Sequence, residues 1–145
     1  MLEQVNHVLA QRAAALGVPA AELASTLCVA LLFRRRGTRL LLGLGDSAIY
    51  TFGPGGVRLT VAPRRLGGSS TPLTTTRGAY RSAEVRVERP AAPEGVLLCS
   101  DGVAAALGTA ALTGCLRQAE PAPRLQALLE QAACPDDCGF LCRTP

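Results

Sequence analysis

At 145 residues and 48% hydrophobic content the chain is long enough for one packed domain and too apolar to be disordered in bulk. Aromatic residues make up 3%, with no Trp, so the core must come from Leu, Val and Ala, and a base-stacking nucleic-acid surface is excluded. The net charge is +4, and all fifteen basic residues are Arg, which with the abundant Ala, Gly and Pro reads as a compositional bias of the source genome.

Leu2, Val5, Val8, Leu9, Ala13 and Leu16 share one helical face and predict a first helix, which Gly17 and Pro19 end. Ser25 to Phe33 is β-rich and apolar. Arg34-Arg35-Arg36-Gly37 reads as a solvated hairpin tip, and Thr38 to Gly43 returns as a second strand. Ala48–Phe52 and Val57–Val61 follow, joined by the turn Gly53-Pro54-Gly55-Gly56. Residues 25–61 therefore read as an antiparallel meander, its turns being too short for crossover helices.

Residues 62–82 are rich in Pro, Gly, Ser, Thr and Arg and predict the longest loop, a substrate-facing flap. Ala83–Arg89 alternates as a half-exposed strand, and Val96–Cys99 reads as a buried one. The pattern from Gly102 to Ala133 is helical, punctuated by Gly108, Gly114, Pro121 and Pro123, and a last strand covers Gly139–Arg143. Antiparallel strands in runs and helices in groups indicate a layered α+β domain rather than a doubly wound one.

No apolar stretch reaches membrane-span length, and Met1-Leu2-Glu3-Gln4 lacks the basic start of a secretory signal, so the expectation is a cytoplasmic protein. Cys28, Cys99 and Cys115 lie in apolar context, while Cys134, Cys138 and Cys142 recur every four residues without a C-x-x-C pair. They read as reduced thiols filling core space. His7 reads as a surface residue of the first helix.

Two acidic positions stand at the edges of apolar runs: Asp101 in Val96-Leu97-Leu98-Cys99-Ser100-Asp101-Gly102, and Asp136 in Asp136-Asp137 before Phe140-Leu141-Cys142. Buried strand ends bearing carboxylates need a partner, and two of them suit a hard cation such as Mg²⁺ or Mn²⁺. Each has a plainer reading, Asp101 as a helix cap and Asp136 as a turn residue after Pro135. Four patterns then occur in order: Ala24-Ser25-Thr26, Gly43-Leu44-Gly45-Asp46-Ser47, Leu98-Cys99-Ser100-Asp101-Gly102 and Pro135-Asp136-Asp137. Together they resemble the metal-dependent protein phosphatases of type 2C, the PPM family.

That resemblance implies a layered α-β-β-α sandwich of antiparallel sheets flanked by helices, in one partial domain over residues 1–145. It also implies hydrolysis of phosphoserine and phosphothreonine in proteins by a water held between two Mn²⁺ or Mg²⁺ ions. By position, Asp101 and Asp136 match the family's metal-binding aspartates, and Asp46 matches the aspartate associated with a third, weaker metal. The family's N-terminal motifs have no counterpart, and Ala48, Ala105 and Gly139 replace family residues within the retained ones. The resemblance thus implies the C-terminal portion of a phosphatase with an impaired metal site, Met1 being an internal start. The alternative is a non-catalytic member that binds a phosphoprotein or a signalling partner. No nucleic acid and no membrane is expected as a partner; a homodimer through exposed sheet edges is.

Overall fold

The computed structural model describes residues 2–19, 25–63, 65–66, 69–70, 83–132 and 137–145. Helix α1 spans Leu2–Leu16; the strands are β1 Leu27–Phe33, β2 Thr38–Leu44, β3 Ala48–Gly53, β4 Gly56–Val61, β5 Arg65–Leu66, β6 Ser69–Ser70, β7 Glu84–Glu88, β8 Gly95–Cys99 and β9 Phe140–Arg143. Helices α2 (Asp101–Leu116) and α3 (Pro121–Gln131) lie between β8 and β9.

The strands form two antiparallel sheets, ordered β1-β2-β7 and β4-β3-β8-β9, with β5-β6 as a separate small hairpin. The expected meander over residues 25–61 is therefore two hairpins in different sheets, and the Gly45–Ser47 turn carries the chain from one sheet to the other. Burial explains the split. β2 from Leu41 onward and β3 from Ala48 to Phe52 are buried on consecutive residues, so both of their faces are covered. A meander solvated on one face would alternate instead.

Leu41, Ile49, Val61 and Val96 fill the space between the sheets, with Cys28, Ala30 and Leu32 against them. A second core lies between the four-stranded sheet and the helices: Tyr50, Phe52, Leu97 and Cys99 meet Val103, Leu112, Cys115, Leu116 and Leu125. The molecule is thus the layered sandwich expected from the sequence.

Local departures have local causes. Gly108 takes φ 71° and ψ 158°, which kinks α2. On α1, Ala13 is buried, whereas Val8, at the margin of the apolar face, and the terminal Leu16 are exposed. Within the stretch expected to be an unstructured loop, Arg65 pairs with Ser70 and Leu66 with Ser69 as two short antiparallel strands. Residues 64, 67–68 and 71–82 of that expected flap lie outside the described residues. Arg34–Arg36 form an exposed 3₁₀ turn closed by Gly37, as the hairpin-tip reading required.

Candidate functional site

Pairing register fixes which strand ends lie together. Leu27 of β1 stands opposite Leu44 of β2. Ala48 of β3 stands opposite Cys99 of β8, which in turn faces Phe140 of β9. Residues 25–26, 45–47, 100–102 and 137–139 therefore emerge at one end of the sandwich. A shallow recess there is lined by residues of all four segments, including Thr26, Ser47, Ser100 and Gly139.

Hydroxyl groups and backbone stitch these segments together. Thr26 Oγ1 and Ser47 Oγ share a hydrogen bond of 3.0 Å, linking the start of β1 to the β2–β3 turn. Gly45 sits at φ +99°, and a side chain on it would run into Thr26. Ser100 clamps the segment before β9 through three hydrogen bonds. Its hydroxyl donates to the Asp137 carbonyl at 3.1 Å and accepts from the Gly139 amide at 3.0 Å. Its own amide donates to the Gly139 carbonyl at 2.9 Å. Gly102 permits the approach, because a Cβ there would stand 2.6 Å from the Asp137 carbonyl oxygen.

Asp101 is the first residue of α2, half-buried, and its Oδ1 accepts the Gly102 amide at 3.0 Å. A carboxylate suits this position, where helix N–H groups lack intrahelical partners. The side chain of Ser100, the residue flanking the helix, is directed instead to the 137–139 segment. Asp46 lies half-buried in the turn between β2 and β3, at the same end. Asp136 lies outside the described residues; its neighbour Asp137 is exposed, with its backbone held against Ser100. The clamp at Ser100 was not assigned a role from sequence. The signal was a hydroxyl beside a strand-end carboxylate, but its partners lie 37 and 39 residues further along.

Thiols flank the recess. Cys28 and Cys99 both line it. Burial pushes the Cys28 thiol up to about 11. Burial, and then the neighbouring Cys28, push Cys99 up to about 12, against a lowering backbone hydrogen bond from Ala48. Both are neutral at physiological pH and are poor metal ligands and nucleophiles. No disulfide joins the five described cysteines; Cys134 lies outside the described residues. His7 is exposed on α1, within hydrogen-bond distance (3.0 Å) of Gln11.

Asp46 and Asp101 suit a hard divalent cation by donor chemistry. Among the described residues, however, no three His, Cys, Asp or Glu side chains are grouped as a metal site requires. The described carboxylates thus fall short of a pair of ions. No described helix is long and apolar enough to cross a membrane.

The comparisons with known proteins agree with this architecture. No curated protein matches the sequence. Among solved structures, PppA, described as a key regulatory component of the T6SS in Pseudomonas aeruginosa, superposes with a TM-score of 0.79 at 19% identity, over 99% of this chain and 67% of its own. The catalytic domain of the serine/threonine protein phosphatase PstP, solved in complex with two manganese ions, gives 0.80 at 18% identity over 94% of this chain and 65% of its own. PstP/Ppp from Mycobacterium tuberculosis gives 0.74 at 18% identity over 94% and 66%. The chain spans about two thirds of the length of these structures, and at such identities they show the fold alone. The family model for protein phosphatase 2C matches residues 1–133, and the chain belongs to that family.

Proposed function

We propose that residues 1–145 form a single, partial type 2C phosphatase domain directed at phosphoserine and phosphothreonine in proteins, with weak turnover because its metal site is incomplete. The observation that carries this reading is the convergence of residues 25–26, 45–47, 100–102 and 137–139 at one end of the sandwich, clamped by Ser100 and the Thr26–Ser47 bond. In this reading Asp101, Asp136 and Asp46 hold Mn²⁺ or Mg²⁺. Such an ion supplies an acidified water and neutralises phosphoryl charge. The chain's own residues do the positioning: Ser100 holds Asp137 and Gly139 against the start of α2, and Thr26 holds the turn that bears Asp46. The setting is cytoplasmic, where reduced, protonated thiols are the norm. A phosphoprotein is the partner, with a second copy of the chain pairing at the β1 edge.

A second reading is a non-catalytic domain that binds phosphoproteins. Ala48, Ala105 and Gly139, which replace family residues within the retained motifs, support it. Manganese titration by calorimetry, with phosphothreonine-peptide hydrolysis followed in parallel, separates the two. Binding lost in Asp101→Asn, together with metal-dependent phosphate release, supports the first. No heat at about millimolar metal removes it. Phosphopeptide binding without release then establishes the second.

A further inference from the structure

The opposite end of the sandwich is built differently. There the β1–β2 tip, the link from β7 to β8 and the end of β9 surround a cavity of about 510 Å³. Its walls include Phe33, Arg34, Arg39, Pro93, Glu94 and Arg143. A neighbouring recess of about 500 Å³ continues along Arg34, Arg35 and Arg36 and shares Phe33 with the first.

Charge at this end divides into a neutral floor and a basic rim. Arg39 is only 3% exposed and is fixed by Glu88 at 2.7 Å and Glu94 at 2.5 Å. Arg58 reaches the same two carboxylates at 3.4 and 3.9 Å. Two arginines and two glutamates thus cancel. The exposed Arg34, Arg35, Arg36, Arg89 and Arg143 are left with no ion pair among the described residues. Phe33, 48% exposed, stands at the junction of the two recesses. Paired charges below, unpaired guanidinium groups at the rim and an apolar wall between them make a surface selective for anionic groups flanking an apolar side chain.

We propose that this end of the sandwich is a docking site for an extended acidic segment of a partner protein. An apolar side chain of that segment seats against Phe33 and Pro93, and its carboxylates meet Arg34 and Arg143. The apolar wall selects a peptide over nucleic acid: Phe33 is a single exposed aromatic at this end, which offers no stacking platform for successive bases. The site lies at the other end from the carboxylate motifs, so docking here leaves that end open. Its test does not depend on turnover.

Fluorescence anisotropy on the full chain tests this with a labelled Asp/Glu-rich peptide carrying a central Leu-Phe pair. The expected result is saturable binding that weakens about tenfold or more when salt rises from about 50 to about 300 mM. The double variant R34Q/R143Q and a peptide with Ser in place of Leu-Phe are each expected to lose about tenfold in affinity. Both arginines are exposed, and a far-ultraviolet circular dichroism spectrum confirms that the variant stays folded. R12Q/R124Q removes the same charge from α1 and α3 and is expected to bind like the unaltered chain. The proposal is overturned by no binding at about 1 mM peptide. It is also overturned by equal affinity for a Gln/Asn version of the peptide, by equal losses in the two double variants, or by tighter binding of a single-stranded DNA probe.

Discussion

The two ends of the sandwich are joined by different means. At the motif end the chain segments are tied by hydroxyl bridges and close backbone approach: Ser100 to Asp137 and Gly139, Thr26 to Ser47, Gly102 beneath the Asp137 carbonyl. At the other end a buried guanidinium holds two carboxylates. The difference teaches how one fold separates positioning from stability. A hydroxyl–backbone brace fixes where a carboxylate starts without consuming the carboxylate. An ion cluster satisfies its own charges and leaves only the surrounding rim to meet anything else.

The largest expected effect breaks the ionic end. Arg39→Ala removes a cation that is almost fully buried and leaves Glu88 and Glu94, 23% and 22% exposed, with only the longer contacts to the exposed Arg58. Breaking a fully buried pair costs roughly 3–5 kcal/mol, and the partial exposure of the glutamates lowers the expectation to about 2–4 kcal/mol. Urea denaturation measures it. The triple change Arg39→Met, Glu88→Gln, Glu94→Gln is expected to recover more than half of the loss, because no buried charge is then left without a partner and Arg58, 60% exposed, is solvated by water. If the triple variant is as unstable as Arg39→Ala alone, packing rather than charge holds this end.

Next comes the brace. Gly102→Ala sets a methyl group 2.6 Å from a backbone oxygen, so the 137–139 segment must shift. A cost of about 1–3 kcal/mol is expected, as for other overpacked sites. Ser100→Ala leaves the Asp137 carbonyl and the Gly139 amide to water and is expected to cost about 1 kcal/mol. Both changes are expected to raise amide exchange at residues 137–139 far more than at β3 or β8. Uniform acceleration across the molecule would show that the brace has no local role.

Much of this was legible in the sequence, for physical reasons. The strands and helices followed from period and punctuation, and the family from four short patterns in order. Asp101 stood out because a carboxylate beside an apolar run is costly, and Asp46 through its match to a family pattern; that both lie at one end of the sandwich follows only from the pairing register. The division of the strands between two sheets was not read, although the consecutive apolar residues of Leu40–Leu42 and Ala48–Tyr50 carried the signal of burial on both faces. A turn such as Gly45–Ser47 looks the same whether the chain pairs back or crosses over. Arg39 was equally silent. It sits in a sequence dense with Arg, and only the register with Glu88 and the position of Glu94 mark it as the buried one.

The effect that is smallest near neutral pH is a pH slope at the motif end. Cys28 and Cys99 hold their protons in the folded chain to about 11 and about 12. An exposed thiol in the unfolded chain releases its proton from about 8.5. Above that pH the unfolded state binds fewer protons than the folded state, so stability must fall as pH rises. The loss begins near the unfolded thiol value and levels off once the folded thiols ionise. Tyr50, raised by burial and then by the neighbouring Cys99, adds a loss of the same sign at the upper end. Urea midpoints between about pH 8 and about pH 10.5 are therefore expected to decline, and Cys28→Ala with Cys99→Ala to flatten the decline. A slope undiminished by removal of both thiols would show that they are hydrated in solution and that the recess they line is open to water.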